Sequence, residues 1–350
     1  MENIFATRLK SARTMQGLSM DELVNKMNGK LSKNSISKYE KGDMLPDSTH
    51  LIELANALNR AVDYFFRPLK VSLEKVEFRK KSSLKVKESN RIKEFVKDYT
   101  ERYLEIEEIL SVCPVFKNPI ANIPIRTGQD VKDAVDRLRN EWKIGYNAIP
   151  NVVKLLEDNG IKVIEIEAHM QFDGLSSLID DAFPIIVLNN DFLAERKRFT
   201  ALHELGHLLL QIDESIKQKD IENLCNIFAN MMLIADEVFV NIIGASRHDI
   251  AVQELVSIQV NYGISIDALM YKAKDLNCIS ESRYKYYWIK KNQNPRLKES
   301  IEQSRYLQEV ETGRFNSLVY RALASELISS SKASELAMQS LSDIKNLKFV

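Results

Sequence analysis

Apolar residues recur along most of the chain at the three-to-four-residue spacing of amphipathic helices. This spacing predicts two helices within 130–158, further helices at about 199–210 and 220–235, and helices nearly to the end of the chain. A short central region departs from it. Its apolar runs predict strands at 160–166, 174–179 and 184–188. A small sheet packed on helices is an α+β arrangement.

The first 66 residues have the pattern of five short helices. Ser19 precedes the second helix, and Glu22 completes a capping box with it. Ser32 precedes the third helix, which is predicted over 33–41 and is ended by Gly42. These signals predict a small all-α domain at the start of the chain.

A linker separates this domain from the rest of the chain. An apolar alternation at 71–78 and a basic stretch lead into a connecting helix that ends near residue 110. We therefore expect four regions: an all-α domain at 1–68, a linker and connecting helix at 69–112, an α+β domain at 113–290 and a helical C-terminal region at 291–350.

Composition places the protein among globular proteins of the cytoplasm. The 350 residues are 45% hydrophobic, which is sufficient for several buried cores. No apolar run approaches the roughly 18 residues of a membrane span, and the N-terminus lacks the pattern of a signal peptide. Three widely spaced cysteines are typical of free thiols in a reducing compartment. We expect a soluble, cytoplasmic protein that does not associate with membranes.

Charge is unevenly distributed, although the net charge is zero. Residues 1–100 hold 20 Lys and Arg against 13 Asp and Glu, a net of +7. This excess favours a nucleic-acid partner for the N-terminal part of the chain. The alternative is a solvated linker surface, because nine of the basic residues lie within 71–97.

The helix at 199–210 carries the motif H-E-x-x-H in the residues His203, Glu204 and His207. Residues four apart lie on one helical face, so both imidazoles can bind one metal ion, for which zinc (Zn²⁺) is typical. Glu204 would lie close to a metal-bound water and act as the general base. The alternative is an amphipathic helix with core or surface histidines, which the apolar flanks disfavour because a buried imidazole pair needs partners.

A catalytic zinc needs a third protein ligand and one open position. Asp213 and Glu214 follow His207 by six and seven residues, which leaves little chain in which to reverse direction. Glu222 is better placed, because it begins a second helix whose small residues allow a close approach to the first. Glu222 is the favoured third ligand, with Asp213 or Glu214 as the alternatives.

The two helices together show an extended pair of motifs. These are Phe199-Thr200-x-x-His203-Glu204-Leu205-Gly206-His207 and Glu222-x-x-Cys225-Asn226-x-Phe228-Ala229-x-x-Met232-Leu233. They resemble the ImmA/IrrE family of bacterial metallopeptidases. The resemblance implies a zincin-like α+β domain in which His203, His207 and Glu222 bind zinc and Glu204 activates water. Cys225 stands where the family more often has Ala, and we expect it to be a small buried residue rather than a soft ligand.

The N-terminal domain carries motifs of its own. These are Leu18-Ser19-x-x-Glu22-Leu23 and Ser35-Ile36-Ser37-Lys38-Tyr39-Glu40-Lys41-Gly42-x-x-x-Pro46. They resemble the XRE (lambda-repressor-like) helix-turn-helix family, in which the second motif helix reads base edges in the major groove. The resemblance implies DNA contacts from Lys33, Asn34, Ser35, Ser37 and Lys38. The alternative is a helical domain that docks another protein.

Together, the motifs predict a DNA-binding transcriptional regulator with a zinc endopeptidase domain. The resemblance implies limited cleavage of a protein substrate, such as a partner repressor in a mobile element, a stress response or a toxin-antitoxin operon. We expect a homodimer on operator DNA. The rival hypothesis is a repressor or antitoxin that reads DNA and uses the zinc fold as a scaffold or sensor.

Overall fold

The computed structural model describes residues 3–69, 85–180, 182–303, 305–307 and 312–347. The chain forms two compact units. The terminal unit contains Met1–Cys113, Ile179–Asp181 and Gly313–Val350, and the central unit contains Pro114–Leu178 and Ala182–Thr312. The apolar alternation predicted at 71–78 lies outside the described residues.

The terminal unit begins with four α-helices and a 3-10 helix, followed by a long helix. They are α1 (Ile4–Met15), α2 (Met20–Lys26), α3 (Lys33–Lys41), α4 (Ser48–Ala57), the 3-10 helix (Val62–Phe66) and α5 (Val86–Ile109). The helices α1–α4 and the 3-10 helix enclose a core of fully buried apolar side chains. Its members include Leu9, Ala12, Leu23, Ile36, Leu54, Leu58 and Phe65.

Local signals fix the ends of α2 and α3. Ser19 and Glu22 form the predicted capping box at the start of α2. At the start of α3, the hydroxyl of Ser32 accepts the N–H of Ser35 at 3.1 Å. Gly42 ends α3 with a φ of 79°, a left-handed conformation that strains other residues. The predicted second and third helices are confirmed, whereas the fifth predicted helix is a 3-10 helix.

The central unit is built from five strands and nine described helices. They follow in the order β1 (Pro124–Ile125), α6 (Gly128–Glu141), α7 (Val152–Asp158), β2 (Lys162–Ile166), β3 (Gly174–Ile179), β4 (Phe183–Asn189), α8 (Ala194–Leu209), β5 (Gln211–Ile212), α9 (Gln218–Leu233), α10 (Asp236–Ile243), α11 (Val252–Tyr262), α12 (Ile266–Asp275), α13 (Glu281–Gln293) and α14 (Pro295–Gln303). The predicted α+β arrangement is confirmed.

The larger sheet has the order β2-β4-β3, so β4 lies in the middle and β3 at an edge. β2 and β4 are parallel, with Ile164 opposite Val187. Four consecutive apolar residues of β4, from 185 to 188, are fully buried. Because both faces of the strand are covered, its sequence is a continuous apolar run and does not alternate. The helix α8 follows β4 after four residues and shares its core. The strands β1 and β5 form a separate parallel pair.

No single described helix has the length and apolar character to cross a membrane. Together, α9 and α10, which are bent by 60° relative to each other, are long and apolar enough to do so by length and composition alone.

The C-terminal helices belong to the terminal unit. They are α15 (Arg314–Ala324), α16 (Ser330–Ala337) and α17 (Leu341–Lys345). Phe315, Val319 and Leu336 form a core with Tyr103 and Ile106 of α5. The sequence predicts these amphipathic helices but gives no sign of their partner, which the structure identifies as α5.

Candidate functional site

Two neighbouring helices bring three potential metal ligands together. His203 and His207 lie one turn apart on α8, and Glu222 lies near the start of α9. The Nε2 atoms of the two histidines are 3.1 Å apart. The Glu222 carboxylate lies 3.2 Å from Nε2 of His203 and 3.5 Å from Nε2 of His207. Of the residues considered as ligands in the sequence, these three converge.

The triangle formed by these atoms fits a tetrahedral metal ion. Metal–ligand bonds of about 2.0–2.1 Å place the ligands of a tetrahedron about 3.3 Å apart. The three observed separations of 3.1, 3.2 and 3.5 Å surround that value. The cluster could therefore hold a metal ion through two imidazoles and one carboxylate.

Glu222 is held in the form that binds a cation. Hydrogen bonds with His203 and His207 keep the pKa of the Glu222 carboxyl far below its ordinary value. Gln218, one turn earlier on α9, donates to the same carboxylate at 2.8 Å. The carboxylate is ionised throughout the neutral range.

A second layer of side chains orients the imidazoles. The Oδ1 of Asn226 lies 2.9 Å from Nδ1 of His203, and the Sγ of Cys225 lies 3.4 Å from Nδ1 of His207. Both side chains come from α9 and engage the ring nitrogen that does not face Glu222. An acceptor at Nδ1 holds the proton there and leaves Nε2 free as a metal ligand. Cys225 is buried, as expected, and its thiol contacts the second nitrogen of a proposed ligand.

A glycine inside the motif allows α8 and α9 to approach closely. A Cβ atom on Gly206 would lie 3.3 Å from Phe228 and 3.4 Å from Cys225. These distances are tight for a carbon atom, so a larger residue would push α9 and its carboxylate away from the histidines.

Glu204 faces the edge strand β3. It is 3% exposed, and its carboxylate accepts a hydrogen bond from the hydroxyl of Ser176 at 2.9 Å. On the same strand, a Cβ atom at Gly174 would lie 2.7 Å from the side chain of Thr200 and 2.7 Å from the carbonyl oxygen of Val187. The strand β3 thus lies directly against α8. Ser176 cannot be identified from the sequence, because a serine in a strand gives no signal of its partner.

The two alternative ligands lie outside the metal-binding group. The Asp213 carboxylate accepts hydrogen bonds from Ser215 and pairs with Arg126 at 3.0 Å, and Glu214 is exposed. The hydrogen bonds from Ser215, with that from Arg126, lower the pKa of Asp213. Both acids lie in the segment between β5 and α9.

The residues predicted to contact DNA lie on α3. Lys33, Asn34 and Lys38 are exposed, and Ser35 and Ser37 are partly exposed. Lys33 forms an exposed ion pair with Asp21 of α2 at 2.6 Å, a type of pair that contributes little to stability. The Ser35 hydroxyl lies 2.9 Å from that of Ser32, within the cap of α3. The opposite face of α3, with Ile36 and Tyr39, is buried in the core.

Comparison with known protein families identifies both regions. Residues 156–274 match a peptidase family model described as the IrrE N-terminal-like domain. Residues 9–65 match a model described as helix-turn-helix. The first match includes both helices of the metal-binding group, and the second extends from α1 into the 3-10 helix. No curated protein matches the chain.

Proposed function

We propose that this chain, a fusion of an XRE-type helix-turn-helix domain with an ImmA/IrrE-like domain, is a transcriptional regulator that carries a zinc-dependent endopeptidase. The single observation that carries the proposal is the triangle of His203, His207 and Glu222, with Glu204 next to the first histidine. The substrate would be a protein such as a partner repressor in a mobile element, a stress response or a toxin-antitoxin operon.

The donor set supports zinc as the metal. Two imidazole nitrogens and one carboxylate form a three-ligand set of the kind that catalytic zinc uses, whereas magnesium and calcium prefer oxygen ligands throughout. When bound, zinc would lower the pKa of a water molecule and polarise the scissile carbonyl.

Glu204 would move the proton. Its carboxylate lies beside the ligand His203 in the sequence and is oriented by Ser176 through the hydrogen bond of 2.9 Å. As general base it would take a proton from the attacking water and pass it to the leaving amine. The buried position keeps bulk water from competing for its oxygen atoms.

The edge strand β3 supports a polypeptide as the substrate. An extended segment of a partner protein could add to β3 through main-chain hydrogen bonds and would then lie along the strand that contacts Glu204. This mode requires an unfolded or extended segment, which favours limited cleavage of a flexible loop or linker.

The helix-turn-helix domain would bring the peptidase to operator DNA. Lys33, Asn34 and Lys38 project from α3 into solvent, on the side opposite its buried residues. Lys suits guanine acceptors and Asn suits adenine in the major groove. A homodimer would read a pseudo-palindromic site, and such a partner would place the protein in the cytoplasm.

The decisive experiment compares wild type with Glu204→Gln in cells. The substituted side chain keeps an oxygen for Ser176, so metal binding and DNA binding should persist while cleavage stops. Mapping of new protein N-termini should show at least one protein that is cut only by wild type, and Glu214→Gln serves as the matched control. Identical N-termini in all three strains would favour the rival function, a repressor or antitoxin that uses the metal site as a scaffold or sensor.

A further inference from the structure

The terminal unit contains a polar cavity of about 420 Å³. It is lined by residues from the helix-turn-helix domain, from α5 and from the C-terminal helices. Its lining includes Arg60, Tyr64, Arg67, Asp98, Arg102 and Gln339. This cavity is independent of the metal-binding group, which lies in the other unit.

Arg60 is buried beside this cavity without a good acceptor. Its side chain is 5% exposed. Two of its nitrogens contact the sulfur atoms of Met338 at 2.8 Å and Met15 at 3.2 Å, and its Nε has no hydrogen-bond partner among the described residues. The nearest carboxylate oxygen of the described residues, on Asp98, is 3.8 Å away. Thioether sulfur is a weak acceptor, so the buried guanidinium is poorly satisfied.

Arg67 and Tyr64 add further unpaired donors. One nitrogen of Arg67 donates to Asp98 at 2.6 Å and to Glu101 at 3.2 Å, but its Nε and Nη1 lack hydrogen-bond partners in the described part of the chain. The hydroxyl of Tyr64, which is 3% exposed, also lacks one. Burial, reinforced by Asp98, raises the pKa of Tyr64 to about 12, so the phenol keeps the proton that it can donate.

In the described part of the chain, the charged groups around the cavity do not balance. The cluster holds the four guanidinium groups of Arg8, Arg60, Arg67 and Arg102. The carboxylates that pair with these groups belong to Asp98, Glu101 and Glu335. Arg8 is satisfied by Glu101 and two carbonyl oxygens, and Arg102 by Asp98 and a carbonyl oxygen. Arg67 pairs with Asp98, Glu101 and, at 3.7 Å, Glu335, whereas Arg60 lies 3.8 Å from Asp98. Among the described residues, the positive charge in excess therefore falls on Arg60.

We propose that this cavity binds a small anion with a carboxylate or phosphate group, held by Arg60, Arg67 and the hydroxyl of Tyr64. Such a group supplies both the negative charge and the acceptor oxygens that these buried donors lack, and guanidinium groups bind it through paired hydrogen bonds. The volume is that of a small-metabolite site.

The position of the cavity assigns the anion a regulatory role. Arg60, Tyr64 and Arg67 follow α4 in the helix-turn-helix domain, Arg102 lies on α5, and Gln339 follows α16. The three donors belong to the first of these parts, and Arg102 and Gln339 line the same cavity from the other two. An anion enclosed by all three parts binds most tightly when they are assembled, so it stabilises that assembly by mass action. The anion is thus a small-molecule effector of the DNA-binding unit.

Calorimetric titration of the full-length protein tests the proposal, with inorganic phosphate and citrate as probes at constant ionic strength. Wild type should bind at least one probe saturably, with one equivalent per chain. Binding of phosphate alone or of citrate alone identifies which oxyanion the cavity accepts. Arg60→Gln should weaken binding at least about tenfold, as expected for loss of a charge-assisted hydrogen bond, and Tyr64→Phe should weaken it about fivefold.

The control is Arg321→Gln, which removes an exposed arginine of α15 and should leave the affinity unchanged. Circular dichroism checks the folding of each variant. Because Tyr64→Phe removes a single unpaired oxygen, it remains a valid test if Arg60→Gln does not fold. Absence of saturable binding to wild type by either probe overturns the proposal, as does unchanged affinity in folded Tyr64→Phe.

Discussion

The hydroxyl of Ser176 donates a hydrogen bond of 2.9 Å to the carboxylate of Glu204. It thereby joins the edge strand β3 to the helix that carries both histidines of the metal-binding group. This contact fixes the proposed general base relative to the strand on which a peptide would lie.

Ser176→Ala should lower kcat/KM about fivefold, because a neutral hydrogen bond contributes on the order of 1 kcal/mol. Metal content should not change, since Ser176 contacts none of the three proposed ligands. The assay uses the protein that wild type cuts and Glu204→Gln does not. Ser177→Ala is the matched control, because the next residue of a strand points to the opposite face. An equal decrease of kcat/KM in both variants would show that the effect comes from disturbing the strand and not from losing the hydrogen bond to Glu204.

Replacing Glu222 by Gln should impair zinc binding, whereas replacing Glu204 by Gln should impair cleavage. Glu222→Gln should weaken zinc binding by more than about 100-fold, because removing a ligand exceeds the 10–100-fold effect of removing an outer-shell partner. Glu204→Gln should bind zinc like wild type and lose only cleavage. Chelator competition measures both affinities. Asp213→Asn and Glu214→Gln are the controls. If either of them lost zinc while Glu222→Gln bound it with normal affinity, the third ligand would lie in the segment between β5 and α9.

Asn226→Ala should weaken zinc binding about 10–100-fold, because it removes the acceptor that orients His203. Cys225→Ala should have a smaller effect, since a thiol at 3.4 Å is a weak partner for His207. Zinc affinity measured by chelator competition compares the two variants. The reverse order of effects would mean that the thiol orients its histidine more strongly than the amide does.

Replacing Lys33, Asn34 and Lys38 together by Ala should reduce preference for the operator by more than about tenfold, because each good base contact contributes about 1–3 kcal/mol of discrimination. Non-specific binding should fall less and should keep its steep decrease with salt. Competition between operator and random duplex DNA measures the ratio. Lys10→Ala, which removes an exposed lysine of α1, is the control. An unchanged ratio in the triple variant would assign base recognition to another surface.

Acid should destabilise the terminal unit through Asp98. Burial opposes ionisation of this carboxyl, but Arg102, Arg60 and Arg67 outweigh it and lower its pKa to about 2 from 3.8. A depressed pKa in the folded state stabilises the fold above pH 4, and this contribution is lost as the pH falls from about 4 towards 2. The difference corresponds to about 2 kcal/mol in the free energy of unfolding.

Denaturation at several pH values, followed by two signals, tests this contribution. Both tryptophans, Trp142 and Trp288, lie in the central unit, so their fluorescence reports that unit, whereas circular dichroism reports both. As the pH falls below 4, the denaturant concentration needed to unfold wild type should decrease first in the transition followed by circular dichroism and only later in that followed by fluorescence. In Asp98→Asn the transition followed by circular dichroism should already lie at a lower denaturant concentration at pH 4. Its midpoint should then change little as the pH falls further. An equal dependence in wild type and variant would place the acid sensitivity elsewhere.

The sequence predicts those features whose causes are local. The bounds of α3 follow from Ser32 and Gly42, which act within one turn of the helix. The strand predicted at 184–188 follows from its continuous apolar run, and the spacing of His203 and His207 follows from helical geometry. Each of these signals lies within a few neighbouring residues, so a single sequence contains it.

Features that depend on distant contacts cannot be predicted in this way. Ser176 and Glu204 are 28 residues apart, and their contact requires β3 to lie against α8. The Asn226 side chain reaches His203 only because Gly206 allows α9 to approach. Likewise, the sequence does not indicate that Arg60 is buried, since one of its contacts is with Met338, 278 residues later.

The order of the two units along the chain affects how the protein folds during synthesis. The helix α5 leaves the ribosome early, but its apolar partners Phe315, Val319 and Leu336 are translated about 200 residues later. At elongation rates of about 5–20 residues per second, the face of α5 that carries Tyr103 and Ile106 stays uncovered for at least ten seconds or so. The complete central unit emerges during that interval, so the peptidase-like fold can form before the terminal unit is finished. A nascent chain stalled before residue 314 therefore exposes an apolar helix to chaperones.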